Sequence, residues 1–125
     1  MKPQISPTSL IFCFIGLIVL HLFAINFYVY WTLPWFDSVM HVLGGLWVGF
    51  TLLAVYERVG MSNNQKLLLV IAGALLVGIL WEIFEYTTGM TFSLVNYKLD
   101  TATDLMMDVF GGSLAYFYIS YIAKV

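Results

Sequence analysis

The sequence predicts an all-α fold, a polytopic membrane protein built as a bundle of four transmembrane helices in one domain over residues 1–125. Apolar residue types make up 62% of the 125 residues and charged types only 10%, whereas soluble domains average about 45–50% and about 25%. Apolar runs long enough to cross a bilayer occur four times, and no connection between them is polar enough to separate domains. A soluble fold of this size has too small an interior for so much apolar surface.

The predicted transmembrane helices cover, in chain order, residues 10–30, 37–56, 67–86 and 101–122. A hydrocarbon core of about 30 Å requires about 20 helical residues, which these runs provide. Turn-forming residues such as Pro34 and Gly60 mark the connections. The first run is too long for the core of a secretory signal and no A-x-A-like cleavage site follows it, so we expect a retained helix.

Basic residues predict the orientation of the bundle, because Lys and Arg concentrate on the cytoplasmic side of a membrane. With four spans, the two termini and the middle connection share one side, which carries Lys2, Arg58, Lys66 and Lys124. The opposite side carries only Lys98. We therefore expect both termini to lie in the cytoplasm.

Charge and cysteine content exclude several classes of function. Five Lys and Arg residues stand against seven Asp and Glu residues, so there is no basic patch of the kind that binds nucleic acid. Cys13 is the only cysteine, which excludes an internal disulfide and a Cys-rich zinc site. The partner that the composition does predict is the lipid bilayer.

Six of the seven acidic residues lie in three short stretches that we expect at one membrane face. The second and fourth helices begin on the extracytoplasmic side and the third helix ends there. Within each stretch the acids are three or four residues apart, which places them on one helix face, and His41 follows the first acid at the same spacing. The acids are Asp37, Glu82, Glu85, Asp100, Asp104 and Asp108. We expect them to share a pocket that enters the outer leaflet.

The negative charge expected in this pocket must be neutralised. Six carboxylates would face one lysine, Lys98, and at most one charge from His41, although ionised carboxylates are costly within a bilayer. Divalent cations, retained protons or water in an outer cavity can each offset them. Oxygen ligands with an imidazole suit Mg²⁺, Mn²⁺, Zn²⁺ or Fe²⁺. The predicted metal ligands are Asp37, His41, Glu82, Glu85, Asp100, Asp104 and Asp108.

Three functions are compatible with such a pocket. In the first, the metal site hydrolyses or transfers a lipid-borne group, and Glu82, Glu85 or Asp104 acts as the catalytic general base. In the second, the carboxylates bind and release protons or cations in a coupled transporter. Four helices make a narrow pathway for transport unless the protein forms a homo-oligomer. In the third, the protein is a non-catalytic membrane partner and the polar cluster only fixes helix packing.

Single residues also have structural interpretations. Asp37 and Asp100 each open a predicted helix, where an acid caps free N–H groups. Glu82 and Glu85 lie in the last turn of their helix, where a negative charge opposes the helix dipole, so capping does not explain them. His21 has no acidic partner in its own helix and is interpreted as a packing residue.

Glycines are expected just beneath the acidic stretches, farther from the extracytoplasmic face. Gly45 and Gly49 form a G-x-x-x-G pattern in the second helix, Gly78 lies in the third helix, and Gly111 begins a Gly-Gly pair in the fourth. Small residues let transmembrane backbones approach one another closely. We therefore expect tight packing that brings carboxylates of different helices within reach of one ion.

The combination D-x-x-x-H-x-x-G, W-E-x-x-E and D-T-x-x-D with a following G-G resembles the small membrane proteins called YjdF-like and, more distantly, the VanZ-like family linked to teicoplanin resistance. The matching positions are Asp37, His41, Gly44, Trp81, Glu82, Glu85, Asp100, Thr101 and Asp104. At Ser38, Glu85 and Asp108 the sequence departs from the VanZ-like pattern, so a role in antibiotic resistance is not implied. The YjdF-like resemblance implies a multi-pass protein of the inner (plasma) membrane and no established reaction.

Overall fold

The computed structural model describes residues 5–57, 59–90 and 96–122, and the regular structure within them is entirely helical. The helices are α1 (Pro7–Asn26), α2 (Val29–Thr32), α3 (Trp35–Val55), α4 (Asn63–Thr88) and α5 (Tyr97–Ile122). All except the short α2 are long and apolar enough to cross a membrane. The predicted fold class, an all-α protein with four membrane-spanning helices, is confirmed.

The sequence predicts one helix over residues 10–30, but the first apolar run forms two. α1 ends at Asn26, whose side-chain amide donates to the Leu22 carbonyl over 2.7 Å. The chain then turns at Tyr28, which has a left-handed φ of 58°, and continues as α2. Apolar run length concealed this helix end, because the turn residues Phe27 and Tyr28 are themselves apolar.

The ends of α4 are specified by its sequence. Ser62 and Gln65 form a capping box, in which each side chain accepts a hydrogen bond from the other residue's backbone N–H. The helix stops at Gly89, which has the positive φ of 72° that glycine adopts without strain. α4 is therefore 26 residues long and extends beyond the predicted span 67–86 at both ends.

Glycines bring α3 and α5 into close contact. A Cβ atom on Gly45 would overlap the backbone carbonyl of Asp108, and one on Gly111 would overlap the carbonyl of Val42. Any larger residue would therefore push the two helices apart. The close packing expected from the glycines is present, and it lies beside the acidic residues.

The bundle has an apolar end and a polar end. Leu53, Val70 and Tyr116 form a buried core where α3 and α5 end and α4 begins. The acidic residues meet at the opposite end. α1 packs on α3, where the Trp47 indole donates to the Leu10 carbonyl over 2.8 Å. Within the described residues, no Cα atom of α1 comes within 8 Å of a Cα atom of α4.

Which end of the bundle faces the cytoplasm stays a prediction. Lys2, Arg58 and Lys124, on which the orientation largely depends, lie outside the described residues. Lys66 lies near the start of α4 at the apolar end, whereas Lys98 lies in the first turn of α5 at the polar end. These two lysines thus lie at opposite ends of the bundle, as the predicted topology requires.

Candidate functional site

Acidic side chains from three helices surround one buried histidine at the polar end of the bundle. We call this group the His41 cluster; it consists of His41 and Asp37 from α3, Glu82 and Glu85 from α4, and Asp104 and Asp108 from α5. Each of these six residues is at most 9% exposed. The three helix faces predicted to converge do so. Residue spacing along each helix could not predict the distances between side chains of different helices.

One carboxylate holds the histidine ring in place. His41 Nδ1 lies 3.0 Å from Asp108 Oδ2 in a buried hydrogen bond. An ionised carboxylate only accepts hydrogen bonds, so Nδ1 carries the proton in this pair, and in the neutral imidazole Nε2 then carries the lone pair. A Cβ atom on Gly78 would overlap Asp108 Oδ2, so the carboxylate is confined between His41 and the α4 backbone.

The other ring nitrogen faces three more carboxylates without bonding to any of them. His41 Nε2 lies 3.7 Å from Glu82 Oε1, 3.8 Å from Asp37 Oδ1 and 4.0 Å from Asp104 Oδ2. These separations are too long for hydrogen bonds. His41 Nε2 and Glu82 Oε1 are both fully buried, and neither has a hydrogen-bond partner among the described residues. Such unsatisfied buried atoms are rare in proteins and require an explanation.

The separations fit ligands of a shared ion. Two atoms bound at about 2.1 Å to one metal lie about 3.0 Å apart at a right angle and about 4.2 Å apart on opposite sides of it. The three distances from Nε2 lie within that range. Two sets offer ligand atoms that all lie within 4.8 Å of one another. They are Asp37, His41 and Asp104, and His41, Glu82 and Glu85.

Neutral side chains orient two of the carboxylates. The Thr101 hydroxyl donates to Glu82 Oε2 over 2.7 Å, and the Trp81 indole donates to Glu85 Oε1 over 3.0 Å. The bond from Thr101 leaves Glu82 Oε1 as the oxygen that faces His41. Sequence reasoning did not assign these donors. The Trp81–Glu85 spacing of one helix turn was visible in the sequence, whereas the contact of Thr101 depends on how α5 packs on α4.

Asp100 lies at the margin of the site. It is half-buried in the first turn of α5 and makes no ion pair with His41 in the part of the chain that is described. Its alternative role as a helix cap is filled by Asn96, whose side chain accepts from the Leu99 amide over 3.3 Å. In contrast to α5, the start of α3 has no side-chain cap, so capping does not account for Asp37.

A cavity of about 140 Å³ adjoins the His41 cluster. His21 and Tyr30 line it, and a hydrogen bond of 2.7 Å joins His21 Nδ1 to the Tyr30 hydroxyl. The His21 ring also packs edge-on against Trp81, with ring centroids 5.0 Å apart. Burial of Tyr30, which lies in α2 outside the four spans, raises the pKa of its phenol, and Asp37 and Glu85 add to the rise. His21 thus packs on Trp81 and is hydrogen-bonded to Tyr30, a partner that the sequence did not reveal.

The chain belongs to the family described as Predicted membrane protein (DUF2238), whose family model matches residues 2–124. No curated protein and no solved structure matches the chain. The family match bears out the membrane-protein class expected from composition. The YjdF-like and VanZ-like resemblances and the choice of the inner membrane stay predictions.

Proposed function

We propose that this member of a family of predicted membrane proteins binds a divalent metal ion at the His41 cluster. One observation carries the proposal: the buried His41 Nε2 has no hydrogen-bond partner in the described chain and faces three carboxylate oxygens at 3.7, 3.8 and 4.0 Å. A cation at that point would accept the nitrogen lone pair. It would also offset the repulsion among carboxylates that burial makes costly.

Two ligand sets are proposed for the ion, and both include His41 Nε2. One set adds an oxygen each from Asp37 and Asp104, and the other adds an oxygen each from Glu82 and Glu85. In this arrangement Asp108 orients the imidazole from its other nitrogen, as carboxylates commonly do for metal-bound histidines. One imidazole with several carboxylate oxygens suits Zn²⁺, Mn²⁺ or Fe²⁺, and Mg²⁺ with fewer protein ligands and more water.

We extend the proposal to hydrolysis or transfer of a lipid-borne group. His41 is the seventh residue of α3, about 9 Å along the helix axis from its start, so the cluster lies at a depth that lipids reach. In hydrolysis of a phosphate ester, a carboxylate not bound to the ion accepts a proton from the attacking water. The same carboxylate would then give a proton to the ester oxygen that leaves as the P–O bond breaks. The base is Glu82 or Glu85 when Asp37 and Asp104 hold the ion, and Asp104 when Glu82 and Glu85 hold it.

Proton- or cation-coupled transport is the second candidate, because five carboxylates are buried together at one end of the bundle. A transporter also needs a path to the other end. Glu57 is the only acid among the described residues near the apolar end, and it is exposed. The one-sided placement of the acids therefore favours a metal centre over a transport pathway.

The decisive experiment is elemental analysis of the full chain purified in detergent without chelators. We expect stoichiometric metal in the wild type, loss of the metal in His41→Ala, and reduced content in Glu82→Gln, which preserves the shape of the side chain. Glu57→Gln is the matched control because it removes one carboxylate far from the cluster. Wild-type protein that folds but carries no stoichiometric metal would contradict the proposal and favour the non-catalytic packing role.

A further inference from the structure

We infer that the cavity beside the His41 cluster receives part of the alkyl chain of a single-chain amphiphile, which enters from the bilayer between α1 and α4 and places its polar group at the cluster. The chemistry at the polar group rests on the proposed metal site. Chain binding is a separate property of the cavity, so the two can be measured independently.

The cavity changes from polar to apolar along the bundle. His21, Tyr30 and Asp37 line it at the polar end. Phe14, Val48 and Ala74 are the lining residues farthest from that end on α1, α3 and α4. From Asp37 to Val48 the α3 axis rises about 16 Å. A lipid in the adjoining leaflet has the same arrangement, with its polar group near the membrane surface and its chain toward the midplane.

The size of the cavity predicts partial burial of the ligand. Its volume of about 140 Å³ is close to that of an engineered protein cavity of about 150 Å³ that binds benzene. A short length of hydrocarbon fits into such a space, but a long chain does not. The rest of the chain must therefore extend into the bilayer, which requires an opening on the lipid side.

The seam between α1 and α4 provides that opening. On the α3 side, the Phe14 ring packs on Trp47 with centroids 4.7 Å apart and closes the gap between α1 and α3. Across the described α1 and α4, no Cα atoms approach within 8 Å, and the rings of His21 and Trp81 bridge the two helices near the polar end. Away from that bridge, Ile18 and Val77 line the cavity yet are 39% and 44% exposed, so they lie at its open side.

The polar end selects against an ordinary hydrocarbon occupant. His41, Asp37 and Asp108 belong to both the cavity wall and the cluster. An alkyl group at that end would offer no partner to the buried His41 Nε2. An oxygen-rich head group such as a phosphate would supply oxygen ligands to a metal ion there. The ligand class is therefore a phosphate ester of a long-chain alcohol.

A photoreactive dodecyl phosphate with a diazirine near the end of its chain tests the inference on the full-length protein in phosphatidylcholine nanodiscs. We expect labelling of α1 and α4 that excess unlabelled dodecyl phosphate removes. Val77→Trp fills the opening and should lose this competable labelling. Leu76→Trp is the matched control, because Leu76 is 60% exposed on the same helix and does not line the cavity.

Labelling that excess dodecyl phosphate does not reduce, or that persists in Val77→Trp, would overturn the inference. Metal content is measured on the same samples and should be equal in Val77→Trp and the wild type, which shows that the cluster remains intact. Competable labelling of a wild-type protein that holds no metal would refute the proposed metal centre and still support chain binding in the cavity.

Discussion

His41 Nδ1 and Asp108 Oδ2 lie 3.0 Å apart and join α3 to α5. The backbone carbonyl of the same Asp108 lies where a Cβ atom on Gly45 would be. Helix packing and histidine orientation thus depend on one residue. Because Asp108 occupies Nδ1, the other ring nitrogen is directed toward Asp37, Glu82 and Asp104.

Replacing the orienting carboxylate should weaken metal binding without removing a ligand of the ion. Asp108→Asn leaves His41 with a neutral and weaker acceptor, and losing such supporting groups typically lowers metal affinity about 10–100-fold. Competition with a chromophoric chelator measures the affinity. Unchanged affinity in a folded Asp108→Asn protein would show that Asp108 does not position His41.

A second supporting contact can be tested with two threonines of α5. Thr101→Val preserves side-chain shape but removes the hydrogen bond to Glu82, so metal affinity should fall about tenfold or more. Thr103→Val is the control, because the Thr103 hydroxyl donates only to the Leu99 backbone carbonyl in the described contacts. Equal losses in the two variants would point to a general effect on α5 instead of a specific effect on Glu82.

The α3–α5 contact should not tolerate a methyl group at its centre. Gly45→Ala would force the two helices apart, and overpacking of this kind costs about 1–3 kcal/mol of stability. Gly16→Ala on α1 is the control, since a Cβ atom there meets no atom within 4 Å. Thermal unfolding in detergent should show a lower midpoint for Gly45→Ala only, and a comparable decrease in Gly16→Ala would count against the close helix contact.

Removal of the metal should lower the unfolding temperature of the wild type. A ligand that binds only the folded state stabilises it by about 2.7 kcal/mol when its concentration is 100 times the dissociation constant. Chelation should therefore lower the midpoint, and adding back Zn²⁺ or Mn²⁺ should restore it. His41→Ala should show no response to either treatment. A wild type that is equally indifferent to chelator and metal would argue against a metal bound to the folded protein.

The transport alternative predicts that a mutation in the His41 cluster abolishes ion flux. If the carboxylates carry protons or cations, proteoliposomes containing the wild type should show flux and Asp104→Asn should abolish it. If the cluster is a metal centre that does not transport, neither the wild type nor Asp104→Asn should produce flux. Asp104→Asn should still lower the metal content. Measuring flux and metal on the same preparations separates the two functions.

The sequence by itself determined the fold class and the helix faces that would carry the acids. Membrane spans follow from hydrophobicity over about 20 residues, and side chains three or four residues apart share a helix face whatever the helix packs against. The ends of α4 were also encoded locally, in its capping box and Gly89. The end of α1 could not be predicted in this way, because the turn there contains apolar Phe27 and Tyr28 instead of typical turn residues.

Only the tertiary structure decided what each polar group does. The sequence predicted both Asp104 and Asp108 as metal ligands, yet helix packing places one toward His41 Nε2 and the other against Nδ1. It also brings Thr101 to Glu82 and Tyr30 to His21, and leaves the seam between α1 and α4 open. Such contacts depend on the rotation and separation of neighbouring helices, which glycine-mediated packing sets and local spacing along one helix does not contain.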